Sequence, residues 1–478
     1  MPRVVNKTLV FPLAGVVRSG GYRDQTRPYS APWAVNVRGV APLEGRERGG
    51  SRPGLSTFTG ITTSTEGVFQ WPNGENIEWP DGSDIEFALN SNLVTAPDGT
   101  SIIDPTDLIT ITTDNSTDTP VPSDYTVSTI YRDRVFVAKD NIFYASRIGN
   151  HRDWDFGAEM TDSARAITGT IELAGQPGNA VVGNDITAMI PFRDKILVMA
   201  TCNSLHVLAG DPCQGDLEVI DENIGVIGPY AWAFNGDILA FLSNDGVYVG
   251  RIGQKPGRFS EGRIPNELKN VSTSNTITMA WDPGARGFHL FITPSSGTGN
   301  HYFLDLDNKA IWPVVFGSDD HQPVVAAKIK SANLERVILR GRDETWREFL
   351  SSATDDDGTT IQSHILMGPL RIAPNDARDA MLTELHGLMA DIPSTVTWRV
   401  ISGSMAETVA DAAVADVLSV IVGDKPSSVD AEGTWVAGRN TVDRPRSRGA
   451  WFVLWISAET KWAYEAVAIV AQQLGRNR

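Results

Sequence analysis

The sequence predicts an all-β fold of the β-propeller class, on three observations. From residue 130 onward a short apolar run, a polar turn and a second β-branched or aromatic run recur as a unit. Five such hairpins begin at residues 135, 196, 238, 288 and 337, so successive starts lie 61, 42, 50 and 49 residues apart. Turn formers are abundant (44 Gly, 27 Pro), and only residues 382–390 and 405–423 show helical character. A period of roughly 40–50 residues with several strands per unit is that of propeller blades, small sheets that bury their faces by stacking on neighbours. About five to seven blades are expected; an irregularly spaced sandwich or barrel is the alternative.

Residues 1–60 read as an extended basic arm. They are rich in Arg, Gly and Pro and poor in large aliphatic residues, so they can run extended without a core of their own. Nine Lys or Arg against three Asp or Glu give this segment a formal charge of +6, and the total of −17 leaves −23 for the remainder. Residues 61–130, with no Lys or Arg, read as an acidic β segment, either the first blade or an insertion. Residues 131–370 hold the blades, with Asn, Asp and Gly at the hairpin turns. Residues 371–478 read as a C-terminal β-rich module, or as the segment that closes the ring, with strand-like runs at 395–400 and 451–456.

An acidic body argues against gripping nucleic acid by phosphate neutralisation and fits a surface over which DNA passes without specific binding. No apolar run reaches the ~20 residues needed to span a bilayer. Two cysteines, Cys202 and Cys213, exclude a disulfide framework, and two reduced thiols are expected, as suits folding in a cytosol.

Catalysis has no specific signal. None of the seven histidines falls in a metal-site spacing, and no nucleophile elbow, P-loop or dinucleotide fingerprint is present. His206 and His289 alternate within apolar strands, as packed histidines do. "SDDHQP" (318–323) could bind a cation or a proton but reads better as a loop. "DLDN" (305–308) and "ATDDDG" (353–358) read as turns, the second with a loosely held Ca²⁺ as its alternative. Most Trp residues are expected to fill space between sheets. No cofactor, metal or enzymatic activity is expected.

The segments "PYSAPWAVNVRG" (28–39) and "EGRERGGSRPGL" (44–55) resemble the N-terminal region of a family of tailed-bacteriophage virion proteins. Its general form is "N-V-R" followed by "G-R-x-R-G-G-x-R-P-G". "WDFG" (154–157), "PFRDKILVMATCNSLHVLAGDP" (191–212), "IGVIGP" (224–229) and "FLSNDGVYV" (241–249) are similar to the same family. It is the podovirus tail-nozzle or tail-hub type (tail tubular protein B-like). The resemblance covers most of the first 350 residues and implies a virion protein made in the host cytoplasm. It implies a homo-oligomeric ring, expected as a hexamer, that meets the adaptor on the portal side and tail fibre or spike proteins. Arg23, Arg27, Arg38, Arg46, Arg48 and Arg52 are then the candidate assembly contacts, because Arg forks pair with carboxylates on a neighbour or on the same chain. Deleting residues 1–55 is expected to leave a folded propeller that fails to join the tail. The alternative function is a propeller that binds or cleaves host-surface glycans.

Overall fold

A computed structural model describes residues 4–18, 30–40, 48–58, 124–150, 153–156, 162–171, 185–264, 266–331, 334–372, 378–391 and 395–476. Among these the chain is all-β but for one helix, and it is a β-propeller type built on four-stranded antiparallel sheets. Every hairpin read from the sequence forms the two middle strands of such a sheet. Blade 1 runs Val127–Tyr131, Arg134–Lys139, Ile142–Ala145, Ile167–Thr170. Blade 2 runs Ile186–Phe192, Ile196–Thr201, Leu205–Ala209, Asp216–Asp221. Blade 3 runs Trp232–Asn235, Ile238–Ser243, Gly246–Arg251, Gly257–Arg258. Blade 4 runs Thr276–Asp282, Gly287–Thr293, Asn300–Asp305, Ala310–Val314. Blade 5 has Pro323–Ser331, Leu334–Gly341 and Trp346–Leu350, and takes its fourth strand, Gly54–Thr57, from the N-terminal segment.

The chain divides into two compact units. One comprises residues 58–259 and 268–273 and carries blades 1–3; the other comprises 1–57, 260–267 and 274–478 and carries blades 4 and 5. In the first unit Tyr131, Phe136 and Phe143 of blade 1 pack with Met189, Leu197 and Met199 of blade 2. Arg132 and Asp133 (φ 53° and 56°) make the two-residue turn that opens blade 1, and Arg193 and Asp194 (φ 48° and 51°) begin the three-residue turn, closed by Lys195, that opens blade 2. Both positions of the blade-1 turn are left-handed, which matches the right-handed twist of the strands. Of the region 61–130, residues up to 123 lie outside those described, and Val127–Tyr131 belongs to blade 1.

In the second unit the C-terminal region forms two five-stranded sheets. One sets Val4–Leu9 beside Tyr464–Arg476, which pairs with Arg378–Met389. The other orders Ala34–Val35, Ser363–Arg371, Trp451–Ala458, Val396–Gly403 and Ala431–Trp435. The helix α1 (Ala406–Ile421) lies where helical character is read, and packs on the second sheet through Val409, Ala410, Ala413 and Val417. Of residues 382–390, read the same way, all but the last are strand instead, within Arg378–Met389. A bulge explains the difference. Leu382 pairs with Ala471 and Glu384 with Val470, leaving Thr383 extra. Buried positions therefore change parity from Ala380 and Leu382 to Leu385, Gly387 and Met389, which imitates helical spacing.

The extended N-terminal segment thus contributes strands to both C-terminal sheets and to blade 5. Its glycines allow the close fit. A Cβ on Gly49, whose φ is +67°, would stand 2.2 Å from Phe11 Cγ, and one on Gly54 would stand 2.2 Å from the Asp355 carbonyl oxygen. Gly54→Ala is expected to destabilise the fold by about 1–3 kcal/mol as the blade-5 strand is pushed off its seat; chemical denaturation measures it. Trp312, Trp435, Trp451, Trp455 and Trp462 are fully buried, as space-filling residues should be.

Candidate functional site

The motif residues of the N-terminal segment converge on one buried polar node. Asn36 takes a left-handed conformation (φ 56°) between the short strands Ala34–Val35 and Val37–Arg38. Its side-chain carbonyl accepts from Arg52 Nε and from the Val315 amide, both at 2.9 Å, and its amide donates to the Gln362 carbonyl at 2.8 Å. Arg52, 1% exposed, forks onto Asp356, with Nη1 to Oδ1 at 2.8 Å and Nη2 to Oδ2. It donates further to the carbonyls of Pro53 and Val315, and Asp356 also accepts from the Leu55 amide. Arg38, 5% exposed, lies 3.6 Å over the centre of the Phe303 ring. Burial, then repulsion from Arg52, lowers its pKa to about 9, with Asp282 and Asp305 opposing the shift.

The "ATDDDG" turn is the receiver. Asp355 caps the turn through the Gly358 amide, Asp356 holds Arg52, and Asp357 accepts from Arg347 Nε at 2.9 Å and from Thr57. Arg347 also forks onto Asp343 at 2.8 and 2.6 Å and holds that carboxyl down at about 2. Three consecutive carboxylates repel one another unless cations sit between them, and here Arg52 and Arg347 do. That run was the signal in the sequence, and only its partners were missing.

The candidate assembly arginines therefore separate. Arg38 and Arg52 are interior, bound within their own chain and not on a docking face. Arg48 pairs with Glu465, again in the same chain. Arg23, Arg27 and Arg46 lie outside the described residues.

The histidines beside the node are packed and neutral. His289 stacks between Phe291 and Phe349 and meets Asp282 at 3.2 Å. His301 accepts from the Ile292 amide and donates to Gln322, whose oxygen also takes the Gly299 amide. "SDDHQP" thus supplies Gln322 as the support of His301. "DLDN" is a turn in which Asp305 accepts from the Asn308 amide at 3.0 Å. Burial lowers the imidazoles of His206, His289 and His321, and brings His301 and His364 to about 4 from the usual 6.5. The unfolded chain then binds more protons than the folded one between those values. Stability is full above pH 6.5 and is expected to fall as pH drops toward 4, with a flatter slope in His301→Gln. Urea midpoints measured across that window check it.

Among the described residues no group of three or more His, Cys, Asp or Glu is placed to hold a metal, and no helix is long and apolar enough to cross a membrane. Cys202 and Cys213 are not joined in a disulfide. At Asn36, Arg52 and Asp356 the node is held by an ion pair and hydrogen bonds, and its chemistry is fastening, although the buried Nη1 of Arg38 has no hydrogen-bond partner among the described residues.

No family model and no curated protein matches the chain. Solved structures similar to it include an extracellular domain of a one-component system of B. thetaiotaomicron, at 13% identity and TM-score 0.35, over 63% of this chain and 36% of that one. The luciferin-regenerating enzyme matches at 9% identity and TM-score 0.27, over 52% of this chain and 86% of that one. YCF48 bound to D1 peptide matches at 12% identity and TM-score 0.25, over 52% and 78%. The chain spans only 30–36% of the length of the three B. thetaiotaomicron domains it matches. The propeller assignment accordingly rests on the sheets themselves.

Proposed function

We propose that the chain is a structural subunit of a tailed-phage tail, of the nozzle or hub type, and not an enzyme. It assembles as a ring of identical subunits around the channel through which DNA leaves the particle. One observation carries the reading. The residues that make the N-terminal segment resemble that family, Asn36, Arg38, Gly49, Arg52 and Gly54, are those that seat the segment in this fold. The resemblance therefore lies in architectural positions, where a shared fold would leave it. The charge of −23 outside residues 1–60 supports a channel wall that DNA does not adhere to. In the ring, one patch of each subunit meets a different patch of the next.

Native mass spectrometry and electron microscopy of the purified chain, and antibody labelling of phage particles, test this. A closed ring and label at the tail tip are expected. A monomer at all concentrations with no label on particles, or turnover of a host-surface glycan, would sink the reading.

A further inference from the structure

The second C-terminal sheet carries a polar row that the architecture does not use. Ser457 pairs with His364 on one side and Thr397 on the other, so the three residues share one face across adjacent strands. Arg399 lies two residues along the same face, with its guanidinium 4.5 Å over the Trp455 ring. These residues line a groove of about 910 Å³ beside Val420, near the C-terminal end of α1. That volume lies within the usual range of ligand pockets, roughly 300–1,000 Å³.

The hydrogen-bond directions follow from the chemistry of each group. The Trp455 indole N–H can only donate, and it stands 3.3 Å from His364 Nδ1, so that nitrogen accepts. Burial, reinforced by the Arg399 charge, keeps the ring neutral at physiological pH, which places its proton on Nε2. His364 is 4% exposed, and Nε2 has no partner among the described residues. A buried donor without an acceptor carries the full cost of leaving water, which a ligand acceptor would offset. Ser457 Oγ accepts from Arg399 Nη1 at 3.0 Å, which leaves its own hydrogen to donate. Acceptors are also at hand, in Glu459 and in the amide oxygen of Gln362.

Charge then decides the class of ligand. Arg399 donates through Nε to Glu432, and Glu459 stands on the lining, so the single cation is already offset and an anion gains little. Apolar Val436 and Ala437 complete the wall. We propose that this groove binds a neutral, hydroxyl-rich ligand, a short oligosaccharide. Its hydroxyls accept from Ser457, Thr397 and His364 and donate to Glu459, and its C–H faces lie on the valine and alanine side chains. The site borders the N-terminal node at Gln362, whose carbonyl takes the Asn36 amide.

Calorimetric titration of the full chain with maltotriose, cellotriose and N-acetylchitotriose, and with glucuronate and inorganic phosphate as charged comparisons, tests it. Saturable binding of at least one neutral trisaccharide is expected, tighter than either charged probe. Thr397→Val and Ser457→Ala should each weaken it about tenfold or more, because a site built on hydrogen bonds loses heavily when one is removed. Unchanged melting of these two variants separates lost binding from lost folding, and a weakened His364→Gln adds the imidazole. No binding across the neutral panel, tighter binding of phosphate or glucuronate, or binding untouched by the Thr397 and Ser457 changes would overturn the proposal.

Discussion

An Asp356→Ala chain is expected to lose about 3–5 kcal/mol of unfolding free energy, among the largest effects of any single substitution here. The magnitude comes from what the change leaves behind. Arg52 is 1% exposed and has no route to water, so its charge stays buried without its carboxylate. The Leu55 amide loses an acceptor as well, which loosens the strand that completes blade 5. Arg52→Lys should also cost stability, since an ammonium cannot reach Asn36, Val315 and both Asp356 oxygens as the fork does. The double change Arg52→Met/Asp356→Leu separates the cost of an orphaned charge from the worth of the pair. It should recover much of the loss, because a buried pair often exchanges for apolar side chains at little cost. Recovery stays incomplete, as the Pro53 and Val315 carbonyls no longer have a donor. Urea unfolding of the four chains decides the matter. A loss below about 1 kcal/mol for Asp356→Ala would show that the node does not hold the segment.

The blades were legible because their middle strands are local. Each hairpin pairs residues close in sequence, and alternation with a turn at fixed offset is a short-range signal. The flanking strands were harder to see. Gly257–Arg258 is two residues long, and Gly54–Thr57 comes from the other end of the chain to meet Trp346–Leu350. No period in the sequence records a pairing across some 300 residues. Residues 382–390 misled for a different reason, since the bulge at Thr383 shifted the buried face by one residue and a strand took on helical spacing. At the node, the arginines and the aspartate run each stood out by composition. Their pairing did not, because charge complementarity names a class of partner and burial selects the individual one. The arm looked like a ribbon for another surface when its charge was weighed alone, and its buried share, Trp33 to Arg38 and Gly50 to Arg52, depends on walls built by residues beyond 300.

Deleting residues 1–57 is therefore expected to prevent the second unit from folding, in contrast to the intact propeller anticipated from sequence. The deletion removes Val4–Leu9 from beside Tyr464–Arg476, Ala34–Val35 from beside Ser363–Arg371, and the fourth strand of blade 5. It also uncovers Trp312 and Tyr464, on which Phe11 packs at 5.8 and 5.9 Å between ring centres, and leaves Asp356 without Arg52. Each newly bared strand edge offers unpaired amides and carbonyls for aggregation. Blades 1–3 lie in the other unit and keep all of their own strands. Limited proteolysis of the truncated chain should accordingly degrade residues beyond about 274 while sparing a fragment carrying blades 1–3. Supplying residues 1–57 in trans as a peptide offers the sharper test. If the segment acts by completing three sheets, the peptide should restore protease resistance to the C-terminal region, and the same peptide carrying Arg52→Ala should not. A truncated chain that resists protease throughout without the peptide would return the segment to the role of an external clasp.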